Sequence, residues 1–252
     1  MRVLASYNIK GGVGKTAAAV NLSHLAARDG LRVLLWDLDP QAAASFLLRI
    51  KPRVRGGGKA LIRGRAAIDD AIKGTDFDGL DLLPADFTYR NLDLVLDAAK
   101  QPARRLGRLL APLAGEYDLV MLDCPPGISL LSENVLHAAG TLLVPLIPTT
   151  LSVRTLDQLT EFIAGLRAPR PEALAFFSMV DRRKRLHLEI AQRLPKERED
   201  VAATVIPALS VIEQMSTQRA PVTAFAPRSL AARSYQRLWA EVAARSLPPQ
   251  PC

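Results

Sequence analysis

Short blocks of unbroken apolar residues recur along the chain. Longer segments separate them, with apolar positions returning every three or four residues. The blocks lie at 3–7, 31–37, 117–123, 142–147, 173–180 and 203–206, with a shorter one at 80–84. Helical spacing marks 16–28, 103–113, 153–166, 186–194 and 230–244. Gly30 closes the first of these helices, and Trp239 lies on the amphipathic last one. Strands with little polar alternation, separated by helices, are buried on both faces. The pattern predicts an α/β fold with a doubly wound, mostly parallel sheet flanked by helices. No internal repeat is visible.

One segment breaks the order. Residues 49–65 contain Arg49, Lys51, Arg53, Arg55, Lys59, Arg63 and Arg65 and no acid, around Gly56-Gly57-Gly58. Such a run reads as a solvated, mobile loop, or as a loop that meets DNA or a partner.

At 252 residues, 49% of them apolar, the chain suits one domain with a large core. The expected organisation is a single domain over 1–252, with the basic loop at 49–65 and a flexible tail at 247–252. No stretch is long and apolar enough to span a bilayer. The N-terminus enters a strand directly, without a signal-peptide pattern. Two cysteines, Cys124 and Cys252, exclude a disulfide framework and suit a reducing cytoplasm. Cys124 reads as a small buried hydrophobe, and Cys252 as part of a frayed tail. The net charge of +8 is largely arginine and favours polyanions: DNA, RNA or anionic lipid. Arginine-rich codon usage would give the same excess without a partner.

The chemistry begins at Lys10-Gly11-Gly12-Val13-Gly14-Lys15-Thr16, directly after the first strand. Glycines let backbone N–H groups close around phosphate oxygens, and the following helix points its positive end at the same anion. Lys15 would neutralise the β- and γ-phosphates, and the Thr16 hydroxyl would bind Mg²⁺. Ile9 stands where the usual phosphate loop begins with glycine, and Lys10 is an extra lysine at the loop's mouth. From there it is badly placed to fold back on its own nucleotide, and well placed to reach one held by a facing subunit. The second strand ends Asp37-Leu38-Asp39-Pro40-Gln41, with two carboxylates at the carboxyl end of a parallel strand. Alternation puts both on one side, facing the phosphates. Residues 119–122 are apolar and lead into Asp123, which would reach Mg²⁺ through water. Cys124-Pro125-Pro126-Gly127 follows.

This set resembles the ParA/MinD ATPases, whose deviant phosphate loop carries a first lysine that crosses the dimer interface. The resemblance runs in register over residues 1–245 apart from the basic loop, and looks most like the ParA/Soj-type partition ATPases without an N-terminal DNA-binding extension. It implies ATP and Mg²⁺ as cofactors, slow partner-stimulated hydrolysis, and a homodimer formed with ATP. Asp39 would polarise the attacking water, and Asp37 would support the metal shell. Asp39, Pro40 and Gln41 would form one switch, Pro126 and Gly127 a second, with the Gly127 N–H sensing the γ-phosphate. Met179 and Pro207 would border the adenine. Lys10, Lys15 and Asp39 would be catalytic. Two departures stand out: Ala17 replaces a second hydroxyl near the α-phosphate, and Ala42-Ala43-Ala44 follows Gln41 where Gly-Asn is usual.

The family resemblance also implies a sequence-independent DNA surface on the ATP dimer, for which Arg182, Arg183, Arg185, Arg219, Arg228, Arg233 and Arg237 are candidates. A ParB-like or cargo adaptor would stimulate hydrolysis, and the protein would be cytoplasmic and nucleoid-associated. Two other readings remain. One is a MinD-like positioning ATPase on a membrane surface, without stable insertion. The other is a nucleotide-switched scaffold with little turnover. Amide-ligase relatives would need an appended glutaminase-like region.

Overall fold

In a computed structural model of the chain, residues 1–64, 66–98, 102–166 and 169–247 are described. These residues build an eight-stranded sheet in the order β3-β4-β2-β5-β1-β6-β7-β8. The strands are β1 (Arg2–Ser6), β2 (Val33–Asp37), β3 (Lys73–Gly74), β4 (Leu80–Leu83), β5 (Leu119–Asp123), β6 (Thr141–Leu146), β7 (Glu172–Val180) and β8 (Val201–Pro207). Only the short edge strand β3 runs antiparallel to its neighbour. The doubly wound, mostly parallel fold expected from the sequence is the one observed.

The helices are α1 (Lys15–Arg28), α2 (Ala43–Leu47), α3 (Gly57–Ile62), α4 (Leu92–Asp97), α5 (Arg105–Leu110), α6 (Leu130–Ala138), α7 (Thr150–Gly165) and α8 (Arg185–Glu197). The last four are α9 (Ser210–Glu213), α10 (Met215–Gln218), α11 (Val222–Phe225) and α12 (Leu230–Ser246). Each central strand feeds two cores by simple alternation. Leu4, Val33, Leu35, Leu119 and Met121 pack against α1 and α12. Ala5, Leu34, Trp36, Val120 and Leu122 pack against the helices of the other face, α3 to α8. This double burial is why the strands read as unbroken apolar runs.

Glu241 of α12 accepts the N–H groups of Ala203 and Thr204, each at 2.9 Å, which covers part of the exposed edge of β8. Leu238, Trp239 and Val242 of the same helix are buried, and the Trp239 indole N–H donates to Asp29 at 2.6 Å. The apolar stripe of α12 is therefore spent on the core. Among the described residues, no helix is long and apolar enough to cross a membrane.

Three segments fold differently from the predicted pattern. The expected helix over 103–113 is broken into a 3₁₀ turn, α5 and a second 3₁₀ turn that contains Pro112, because proline cannot donate into a continuing helix. Helix α6 was not visible in the apolar spacing; its start is set by Ser129 and Ser132 in a reciprocal cap. The basic segment is not a loop throughout, since α3 forms within it and buries Gly58, Leu61 and Ile62. Val54 is also buried, and its N–H donates to Asp86 at 2.9 Å, while the Gly58 N–H donates to Thr88 at 2.8 Å. The arginines stay outside while the apolar positions dock. Arg65 and the tail 248–252, with Cys252, lie outside the described residues.

Gly58 touches the ring of Tyr89 so closely that a Cβ would sit 2.6 Å from Cδ1. Overpacking of this kind costs about 1–3 kcal/mol. Gly58→Ala is therefore expected to lower the urea midpoint without changing the m-value. An unchanged midpoint would mean that the segment does not pack as described.

Candidate nucleotide-binding site

The carboxyl ends of β1, β2 and β5 meet side by side. Asp123 pairs in register with Ser6 on one side and Asp37 on the other. This is where an open parallel sheet offers a ligand crevice. The loop from Lys10 to Gly14 leaves β1 there and turns into α1. Gly14 caps the helix at φ 93°, a conformation that favours glycine, and a Cβ on it would lie 2.7 Å from the Ser178 hydroxyl. Both constraints select glycine at this position. The Asn8 carboxamide accepts the Lys10 N–H at 2.9 Å and donates to the Pro145 carbonyl at 2.8 Å, pinning the loop to β6.

The two loop lysines differ. Lys15 is buried, and its ammonium donates to the Lys10 carbonyl at 2.9 Å, spanning the loop. Burial pushes its pKa down, while the nearby Asp123, Cys124 and Asp39 pull it back up. Lys10 is half-buried, with its backbone held at both N–H and C=O, yet its ammonium makes no hydrogen bond or ion pair among the described residues.

The acidic groups divide the same way. Asp123 is fully buried, and neither carboxylate oxygen has a hydrogen-bond partner at normal geometry. Burial drives its pKa well up, Asp37 adds to the rise, and the neighbouring Thr16 hydroxyl and Lys15 oppose it. An orphaned buried carboxylate beside a hydroxyl and a second carboxylate fits a hard divalent cation with oxygen ligands. Thr16 and Asp123 are the residues that could hold it.

Asp37 is satisfied instead by its own chain. One oxygen accepts both the N–H and the hydroxyl of Ser45 at 2.8 Å, and the other accepts the Asp39 N–H at 3.2 Å. Burial raises its pKa, and the Ser45 hydrogen bonds oppose the rise. Asp37 thus stands behind the metal position and organises the turn. Strand β2 stops at Asp37, so Asp39 sits on the following turn and not on a continuing strand. It is only partly buried, and it accepts the Gln41 N–H at 2.9 Å.

The Gly127 N–H, expected to face a γ-phosphate, donates instead to the Ile9 carbonyl at 2.9 Å. The Gly127 carbonyl accepts the Tyr7 hydroxyl at 2.8 Å. The turn at Gly127 is thus held to Tyr7 and to the start of the phosphate loop, and a γ-phosphate would meet this N–H only if the bond to Ile9 opened. Pro126 is exposed beside it. Cys124 is buried, and burial pushes its thiol pKa up, consistent with a small hydrophobe.

A cleft of about 260 Å³ opens next to Gly12 and Gly14. Ala17, Ser178, Met179, Ile206, Pro207, Leu209, Ile212, Glu213 and Tyr235 line it. Met179 and Pro207, singled out from the sequence, come together here from β7 and β8. Ser45 and Asn8 were not singled out from the sequence, because each acts alone and is brought in by the fold.

The arginine candidates fall on separate surface segments. Arg182, Arg183 and Arg185 follow β7; Arg183 pairs with Asp181 at 2.9 Å and Arg185 with Glu189 at 2.6 Å. Arg219 ends α10 and stacks on Phe46. Arg233 and Arg237 lie on α12, and Arg233 donates to the Arg228 carbonyl at 2.7 Å. All but the partly buried Arg219 are exposed.

Folding with Asp123 charged carries a desolvation penalty. A carboxyl whose folded pKa is raised favours folding while protonated, and loses that advantage as pH rises through the folded value. Asp123→Asn is therefore expected to stabilise the protein without nucleotide by about 1–3 kcal/mol, with a gain that grows from the acid range toward neutrality. The same variant should lose the extra thermal stabilisation that Mg²⁺ adds to bound nucleotide. A pH-independent difference, or an intact Mg²⁺ effect, would contradict the arrangement described.

A glycine-rich loop between a central parallel strand and a helix, with a buried lysine and with carboxylates on two adjoining strands, defines a P-loop nucleoside triphosphatase. The comparisons with known proteins narrow this. A family model described as an AAA domain matches residues 1–175. The chain is 32% identical to the sporulation initiation inhibitor protein Soj of Bacillus subtilis, covering 96% of this chain and 98% of that one. It is 33% identical to the chromosome partitioning protein ParA of Caulobacter vibrioides, covering 97% and 95%. Among solved structures it is similar to cobyrinic acid a,c-diamide synthase from Mycobacterium smegmatis with bound ADP and magnesium. That match has 29% identity and a TM-score of 0.80, and covers 97% of this chain and 94% of that one. The chain belongs to the ParA/MinD family of P-loop ATPases.

Proposed function

We propose that this protein is a Mg-ATP-dependent switch of the ParA type that dimerises with ATP. The dimer binds DNA without reading sequence, and an adaptor of the ParB-like kind resets it by stimulating hydrolysis. Its task is to segregate plasmid or chromosome DNA or to position a protein cargo, in the cytoplasm and over the nucleoid, as a single ATPase domain. The observation that carries this reading is Lys10: its backbone is locked in the phosphate loop, while its ammonium has no partner among the described residues. A rigidly presented, unpartnered cation at the mouth of a phosphate site is suited to a phosphate on a facing subunit.

The roles follow. Lys15 exchanges the Lys10 carbonyl for the β- and γ-phosphates. Gly11, Gly12, Val13 and Gly14 cradle them with backbone N–H groups. Ala17 lies by the α-phosphate. Met179 and Pro207 border the adenine in the cleft. Thr16 and Asp123 hold Mg²⁺, with Asp37 supporting them from behind; when bound, the ion neutralises phosphate charge. Asp39 orients the attacking water, and Pro40 and Gln41 move with it. Gly127 leaves Ile9 for the γ-phosphate, carried by the turn at Pro126. Phosphoryl transfer of this kind needs positioning and charge more than covalent chemistry. The membrane-surface reading is less favoured, because the apolar face of α12 is buried in the core.

DNA affinity measured with ATP, ADP and no nucleotide tests this. Tight binding is expected only with ATP, falling steeply with salt as phosphate contacts release counterions, by about 10³ or more between 50 and 200 mM if six or more phosphates are met. Salt-insensitive binding, or binding indifferent to nucleotide, would overturn it.

A further inference from the structure

Helix α2 hangs between the nucleotide site and a basic surface. At one side, Ser45 gives both its N–H and its hydroxyl to Asp37, and its oxygen also accepts the Ala85 N–H at 3.0 Å. At the other, the adjacent Phe46 meets Arg219, which caps the end of α10. The guanidinium lies 4.7 Å from the Phe46 ring centroid, and its Nε donates to the Phe46 carbonyl at 3.0 Å. Arg49 repeats the link, donating to the Gln218 carbonyl at 3.1 Å. A groove of about 430 Å³ runs past these groups, with Gln41, Ala42, Lys51 and Arg219 on its walls.

Backbone strain is concentrated here. Four non-glycine residues among those described have left-handed backbone: Ala42 (φ 58°), Arg49 (φ 62°), Arg219 (φ 49°) and Met179 (φ 55°). Three of the four frame this one contact, entering α2, leaving α2 and ending α10. Each is disfavoured relative to a right-handed helical backbone, because Cβ crowds the following carbonyl. Such residues persist where the surroundings over-determine them, and they cluster at switches and ligand sites. Ala42 stands directly after the Asp39-Pro40-Gln41 turn. Helix α2 is five residues long, entered through the left-handed Ala42 and followed, one residue past its cap Leu48, by the left-handed Arg49.

We propose that α2 is a lever that carries nucleotide state from Asp37 and Asp39 to Arg219, with Phe46 as the contact that transmits it. Mg-ATP repositions the turn that precedes α2. Ser45 and Phe46 move with that turn, and the stacked Arg219 follows, re-presenting its charge on the surface. Arg219 is then a positioning residue as well as a surface cation. Helix α10 also touches the phosphate-loop helix, through Asn21 Nδ2 at 3.3 Å from the Met215 sulfur, so it has a fixed side against which to turn. The inference rests on the proposed ATP-gated switch and specifies how the gate reaches the surface.

Hydrogen exchange on the full chain, with and without Mg²⁺ and a non-hydrolysable ATP analogue, tests the lever without DNA. In the wild type, residues 42–49 and 214–220 should change protection together. In Phe46→Ala, 42–49 should still respond and 214–220 should not. In a second arm, the ratio of DNA affinity with and without nucleotide should fall by about tenfold in Phe46→Ala, within what a cation–π contact and its desolvation contribute. Arg219→Lys, which keeps the charge but not the planar stack, should show the same loss. Full rescue by lysine, or an undiminished response of 214–220 in Phe46→Ala, would overturn the lever. Phe46→Leu, with apolar bulk but no π face, decides the same question if the alanine variant does not fold. A wild type that binds no DNA in any nucleotide state would sink the proposed function, while the exchange arm would still decide the lever.

Discussion

Lys10→Ala should bind Mg-ATP nearly as tightly as the wild type and lose most of its ATPase activity. The expected loss is about a thousandfold, the lower end of what a cation supplied in trans to a transferring phosphoryl group contributes. The separation of binding from turnover follows from the geometry. Lys15, not Lys10, is the lysine buried within the loop, and the Lys10 contacts that shape the loop are made by its backbone, which alanine retains. Truncation therefore removes only the unpartnered ammonium. Titration of a fluorescent ATP analogue and steady-state phosphate release measure the two quantities. Normal turnover in this variant would remove the trans role, and a collapse of binding would move Lys10 into its own subunit's site.

Asp39→Ala should keep Mg-ATP, stop hydrolysis and accumulate as a dimer. Losing a group that positions the attacking water costs about 10²–10⁴ in rate. Nucleotide should still bind, because Asp39 lies outside the phosphate loop and its Oδ1 accepts the Gln41 N–H on its own turn. A subunit that binds ATP and cannot release phosphate has no route back to the open state, so the equilibrium drains into the closed one. Mass measurement in solution with ATP reads this directly. A variant that stays monomeric with ATP bound would assign Asp39 to dimer closure and not to hydrolysis.

Much of this was legible in the chain. The strands that carry the site, β1, β2 and β5, are buried on both faces, so their sequences are continuous apolar runs that end at the phosphate loop, at Asp37 and at Asp123. The loop was readable because the chemistry of a phosphate cradle leaves few residue choices. Other parts were hidden for physical reasons. Helix α3 carries Lys59 between its buried positions and is flanked by Arg55 and Arg63, so charge masked the pattern. Helix α2 is too short to show a period. Ser45 anchors Asp37 from eight residues away by a tertiary contact that no local spacing records. The Gly127 N–H depends on which acceptor the turn reaches, and here that acceptor is Ile9. The base cleft lay between: the family resemblance assigned Met179 and Pro207 to the adenine, whereas the packing of β7, β8 and α12 placed Ile206, Leu209 and Tyr235 beside them.

Two subunits are expected to build each active site, one giving the Asp39 turn and the other Lys10. Mixing Lys10→Ala with Asp39→Ala tests it most directly, because each variant alone is expected to be nearly inactive. A mixed dimer pairs the intact Asp39 of one subunit with the intact Lys10 of the other and regains one working site. With equal amounts and random pairing in a two-fold dimer, the mixture should recover about a quarter of wild-type ATPase activity. Activity no higher than the average of the two variants would contradict a shared site, because it would place Lys10 and Asp39 in the same subunit's reaction.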